Sequence, residues 1–141
     1  MRAHEFKGTA VFLDHCLAEF EAGDTTAEAY GVACDIGTTT LVASLMHLVT
    51  GTEKTVVSRM NPQVGFGDDV LSRISHASAG PENLAALRQS VVNEINGMIA
   101  SLCEAANIRR EQIYEVTFSG NTTMEHLLCG IDPSQLGVVP F

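Results

Sequence analysis

The sequence predicts an α/β domain built on a mixed sheet. Three observations carry this. Apolar runs near residues 30–35, 40–48 and 54–60 are joined by short polar turns, the pattern of an antiparallel meander. A long stretch opening at Pro81 repeats apolar residues at three- and four-residue steps, one face of a helix. A further strand pattern, Ile113–Ser119, follows that helix, and a strand reached through so long a crossover lies parallel to its neighbour.

Residues 1–29 read as a prelude: a linker with two short strands, Thr9–Leu13 and Cys16–Phe20, around Asp14 and His15. Glu21–Thr26 is polar and turn-prone. The globular domain begins near Tyr30. Its first strand, Tyr30–Asp35, is nearly all apolar, as expected of a strand covered on both faces. The second runs over about Thr40–Leu48, Thr50-Gly51 makes a turn, and Lys54–Met60 is the third.

Asn61–Asp69 contains Pro62, Gly65, Gly67 and two acids, and reads as a loop. Asp68 or Asp69 caps a short helix reaching about His76. Pro81 suits the first turn of the long helix. Leu84, Leu87, Val91, Ile95, Met98, Leu102 and Ala105 make its apolar stripe, which is core rather than a cofactor box. Asn107 stops it in a left-handed conformation. A last short helix ends near Cys129.

Composition bounds the function. The 141 residues are 45% hydrophobic and 18% charged, which suits one folded domain rather than a disordered chain. No apolar run approaches the roughly 20 residues of a membrane-spanning helix. The first residues lack the apolar segment of a signal peptide, so a cytoplasmic location is expected. A net charge of −9 disfavours nucleic acid and anionic membranes and leans towards a protein partner with a basic patch. The four cysteines show no zinc or iron–sulfur spacing, and Cys34 and Cys103 sit in apolar stretches as core residues. The five histidines are scattered.

Two turns carry the chemistry. In the first, an apolar run ends in Asp35, then Gly37, then the hydroxyls of Thr38, Thr39 and Thr40. Gly37 lets the backbone approach a ligand. Consecutive amides and hydroxyls can wrap a phosphate, and Asp35 can hold a hydrated Mg²⁺ beside it. The alternative is a hairpin with a polar turn and no ligand. In the second turn, Gly120-Asn121-Thr122-Thr123 joins a strand to a helix N-terminus, which favours anions. The alternative there is Asn121 or Thr122 as a simple N-cap. Both turns follow the carboxyl end of a strand, where α/β proteins bind ligands, so both are expected to face one cleft.

Four ordered segments narrow the reading: Asp35–Thr40, Asn61–Ile74, Gly120–Met124 and Asp132–Phe141. Together they resemble the ATP-dependent reductive activators of corrinoid proteins and their ferredoxin-fused relatives, in the acetate and sugar kinase, heat-shock chaperone and actin superfamily. The resemblance covers about residue 11 to the end. It implies a ribonuclease-H-like (actin-like ATPase) subdomain over residues 30–141, incomplete at its C-terminal end.

The resemblance also implies ATP and Mg²⁺ as cofactors. Asp35 would act in catalysis and hold the metal, and Asn121 would act in catalysis. Gly37, Thr38, Thr39, Thr40, Gly120, Thr122 and Thr123 would bind the nucleotide. Asn61, Gln63, Asp68 and Asp69 either add a polar wall or only shape their loop.

Such activators couple ATP to the uphill one-electron return of a Co(II) corrinoid protein to Co(I). Their electron comes from a [2Fe–2S] cluster in an N-terminal ferredoxin-like domain. The present cysteines lack cluster spacing, so that cluster is expected only in a domain of a longer parent protein. The sequence also stops before a second Asp-x-Gly phosphate motif, so it is read as a fragment with half a nucleotide cleft. The implied partners are a corrinoid protein and ATP, with a dimer left open. Two other readings stand: part of a kinase or another reductase activator of the same superfamily, or a non-enzymatic interaction module using an unpaired sheet edge.

Overall fold

A computed structural model describes residues 7–138. Residues 139–141, the end of the last resembling segment, lie outside the described residues, as do residues 1–6. The elements are β1 (Gly8–Leu13), β2 (Cys16–Ala22), β3 (Tyr30–Ile36), β4 (Thr40–His47), β5 (Thr52–Met60), α1 (Val70–Ser78), α2 (Pro81–Ala106), β6 (Ile113–Gly120) and α3 (Thr122–Cys129). Short 3-10 turns lie at Pro62–Phe66, Arg110–Gln112 and Ser134–Gly137.

Four strands form one mixed sheet in the order β5-β4-β3-β6. β3, β4 and β5 make the predicted antiparallel meander. β6 runs parallel to β3, with Val32 opposite Val116 and Ile36 opposite Gly120. The 26 residues of α2 supply the crossover that such a pair requires.

The core lies between the sheet and the helices. Val32, Cys34 and Ile36 of β3 and Leu41, Ala43 and Leu45 of β4 form one cluster with Leu87, Val91, Met98 and Leu102 of α2 and Met124 and Leu127 of α3. Each large aliphatic side chain so buried contributes about 1.5–3 kcal/mol. The opposite face is different. Ala33, Asp35, Thr117 and Ser119, paired across β3 and β6, are exposed. This corrects the expectation that β3 is covered on both faces: an apolar run with small residues such as Ala33 hides a one-sided alternation.

Helix boundaries follow local chemistry. Asp69, not Asp68, caps α1, in a capping box with Ser72. Pro81 opens α2, and Asn107 ends it at φ 53 and ψ 46, its amide donating to the Cys103 and Glu104 carbonyls. The buried stripe of α2 departs from the predicted one at its end, where Ala105 is exposed and Ile99 and Cys103 are buried. Seven-residue steps drift by about 20° per heptad on a straight helix, so the stripe rotates off Ala105 and onto Cys103 and Ala106.

β1 and β2 form a separate hairpin turned by Asp14, which sits at φ 52. It carries Phe12, Leu17 and Phe20, all exposed. Its tie to the sheet is polar. The Tyr114 hydroxyl donates to Glu21 Oε1 at 2.6 Å, and the Thr25 hydroxyl donates to the other carboxylate oxygen. These bonds, Thr25 first, hold the Glu21 carboxyl below its ordinary value of 4.5. Burial, then the bond to Glu21, pushes the Tyr114 phenol up to about 12.

The two groups limit the tie from opposite ends of the pH scale. The Tyr114 contribution is complete below its ordinary value of 10 and is lost as pH rises towards 12, because the unfolded phenol ionises first. The Glu21 contribution is present above 4.5 and is lost as pH falls through the lowered folded value. Ultraviolet titration should show one late phenolate step that Tyr114→Phe removes. Hairpin amide resonances should move with that step and with the acidic one.

Candidate functional site

β3 ends at Ile36 and β6 at Gly120, and these residues face each other in the parallel register. The two polar turns therefore leave the sheet side by side at its carboxyl end, as their shared position after a strand predicts. They are joined directly. Asn121 Nδ2 donates to Thr38 Oγ1 at 3.1 Å, while Asn121 Oδ1 accepts from the Met124 amide at 3.0 Å. One side chain thus caps α3 and binds it to the first turn.

Close approach requires Gly37 and leaves little room at Gly120. A Cβ on Gly37 would meet the Thr40 carbonyl oxygen at 2.4 Å, and one on Gly120 would meet the Ile36 carbonyl oxygen at 3.0 Å. Asp35 stands two residues before Gly37 on the open face of the sheet. It is exposed, and its Oδ1 accepts from the Ser119 hydroxyl at 3.2 Å. No lysine or arginine lies in either turn, so an anion there meets amide dipoles and hydroxyls.

Residues 30–141 match the family described as the RACo middle region. The chain belongs to this family. Over 112 residues, 79% of the chain, it is 38% identical to a protein named corrinoid activation enzyme RamQ from Eubacterium limosum. A solved structure of a reductive activator for corrinoid, iron–sulfur protein is similar over 86% of the chain, with a TM-score of 0.81 and 37% identity. The chain spans 19% of the length of each of these two proteins.

Within this RACo middle region the candidate residues fall into three groups. Asp35, Thr39, Thr40, Asn121 and Thr122 are exposed, and Gly37, Thr38 and Gly120 are half-buried; all lie at the carboxyl end of β3 and β6. Thr123 is buried, so its side chain faces the core. At the second position of α3 its amide is one of the helix donors without an intrahelical acceptor. Asn61 and Gln63 are fully buried, and Asp69 is spent on the α1 cap. Gln63 donates to the Leu87 carbonyl and Asp69 caps α1, contacts that shape their loop.

Two residues escaped the sequence reading. Ser119 meets Asp35 only through the β3–β6 register, which no local pattern reveals. Arg73 is fully buried. Its Nε donates to the Gly67 carbonyl at 2.8 Å and its Nη1 lies 3.3 Å from Met124 Sδ, behind the second turn. Burial lowers its pKa against the opposing pull of Asp68 and Asp69. The Asn61–Ile74 segment contains both Arg73 and Asn61, yet an arginine next to the end of a polar loop-helix segment reads as surface charge.

Cys34 and Cys103 are buried, as predicted. Burial, with the Asp35 charge behind it, pushes the Cys34 thiol up to about 11, which keeps it protonated and unreactive at neutral pH.

Asn121→Ala should cost about 1 kcal/mol in urea denaturation, the value of a lost N-cap. Asn121→Asp keeps the acceptor for the Met124 amide and loses the donor to Thr38. It should retain most of the stability while shifting the Thr38 resonances.

Proposed function

We propose that this chain forms one wall of the ATP site of a reductive activator that returns Co(II) corrinoid proteins to Co(I). The observation that carries this is the hydrogen-bonded pair of turns, Gly37–Thr40 and Gly120–Thr123, beside the Asp35 carboxylate. The likeness to proteins named as corrinoid activators supplies the reaction. In this reading residues 30–141 are the first ribonuclease-H-like, actin-like ATPase subdomain, and residues 1–29 are a linker carrying the hairpin.

The roles follow from position. The Thr38 and Thr39 amides and the Thr38, Thr39 and Thr40 hydroxyls hold phosphate oxygens. Gly120 and the Thr122 and Thr123 amides line the γ-phosphate side, with Asn121 keeping the two halves of the wall in register. Phosphoryl transfer depends mainly on such positioning and on charge neutralisation.

The donor set fits Mg²⁺. Asp35 offers one exposed carboxylate, with one oxygen engaged by Ser119. Mg²⁺ commonly takes one or two carboxylates, several waters and the substrate phosphates. No cluster of three or more acidic, histidine or cysteine groups forms an all-protein cage among the described residues. When bound, the ion neutralises phosphate charge.

The cysteines do not fit an iron–sulfur cluster. Two are buried in the core, and Cys16 and Cys129 are exposed on the hairpin and at the end of α3. The corrinoid protein is the proposed partner and the cytoplasm the proposed location. No helix among the described residues is long and apolar enough to cross a membrane.

The 141-residue chain should bind Mg·ATP only weakly, with Kd about millimolar. The described turns flank the phosphates on one side and leave them in water, where Coulomb energies are small, and the residues of these turns do not enclose an adenine. Titration calorimetry reads the affinity, and amide shifts locate the binding. Shifts confined to residues 37–40 and 120–124, lost in Asp35→Ala, are expected. Micromolar affinity with steady phosphate release would show a complete site instead, and ATP shifts elsewhere would refute this one.

A further inference from the structure

We infer that Asn61 is a positioning residue that aims the backbone of the Gly37–Thr40 turn, and with it the Thr38 amide, at the bound phosphate; this rests on the ATP-site reading above. Asn61 is fully buried and holds two carbonyls of the turn at once. Its side-chain Nδ2 donates to the Gly37 carbonyl at 2.8 Å. Its backbone amide donates to the Thr39 carbonyl, also at 2.8 Å.

Peptide planarity converts this grip into an orientation. In a trans peptide the carbonyl and the following N–H point in opposite directions. Drawing the Gly37 and Thr39 carbonyls towards Asn61 turns the Thr38 and Thr40 N–H groups away from it. Among the described residues the Thr38 and Thr39 amides donate to no protein acceptor. The grip therefore leaves an amide for an anion rather than consuming one.

The anchor is itself fixed. Asn61 Oδ1 accepts from the Gln63 amide at 3.0 Å, and Gln63 Nε2 donates to the Leu87 carbonyl of α2 at 3.0 Å. Pro62 holds Asn61 extended, at φ −68 and ψ 116. The site needs a donor for Gly37 and an acceptor for Gln63 on one short side chain. Asparagine offers both, whereas aspartate lacks the donor and alanine lacks both.

Residual dipolar couplings and cross-hydrogen-bond couplings on the unliganded wild-type chain test the orientation without ATP. Couplings from Asn61 Nδ2–H to the Gly37 carbonyl and from the Asn61 amide to the Thr39 carbonyl are expected. A Thr38 N–H vector pointing at Asn61 would overturn the inference. Asn61→Asp and Asn61→Ala should then displace the Gly37–Thr40 vectors and weaken Mg·ATP binding by about tenfold. Val91→Ala, a core truncation, should lower stability and leave both unchanged. If Asn61→Asp keeps wild-type vectors, or if Val91→Ala weakens binding equally, Asn61 holds only the fold. If Mg·ATP perturbs neither turn in the wild type, the ATP-site reading fails, and the vectors still decide whether Asn61 sets the turn.

Discussion

The parallel pairing of β3 with β6 constrains everything else in this domain. A parallel pair cannot close through a tight turn, so α2 must span the length of the sheet and return the chain to the same end. That journey is stabilised by the buried stripe from Leu87 to Leu102. Its consequence is that Ile36 and Gly120 finish opposite each other, and the turns that follow them touch through Asn121 and Thr38.

The charge of the chain and the chemistry of the site pull in different directions. A net charge of −9 repels phosphates at long range. The turns answer with fixed local dipoles: amides without protein acceptors and the N-terminus of α3. Such dipoles act over a few ångströms and need accurate placement. Buried polar side chains lie behind both turns. Asn61 holds the first turn, Gln63 ties Asn61 to α2, and Arg73 packs against Met124 behind the second turn. Buried polar groups in low dielectric are costly when misplaced, which makes the arrangement specific.

Several features were legible because they are local. The strands of the meander, the Pro81 start and Asn107 stop of α2, and the cap before α3 each depend on residues within one turn or one strand. Others were misread because they depend on partners distant in sequence. The apolar run of β3 suggested cover on both faces, yet Ala33 and Asp35 are exposed. The full burial of Arg73 had no local signal.

By itself the sequence determined the order and type of the elements, the two glycine-threonine turns at strand ends, and, through its four ordered segments, the family. Hydrophobic period and capping act within a few residues, so they survive without the fold. The tertiary structure decided which groups meet: Ser119 with Asp35, Asn121 with Thr38, Asn61 with both Gly37 and Thr39. Those contacts join residues far apart along the chain. They are set by strand register and by the packing of α2 and α3, and a one-residue shift in that register would dissolve them while leaving every local signal in place.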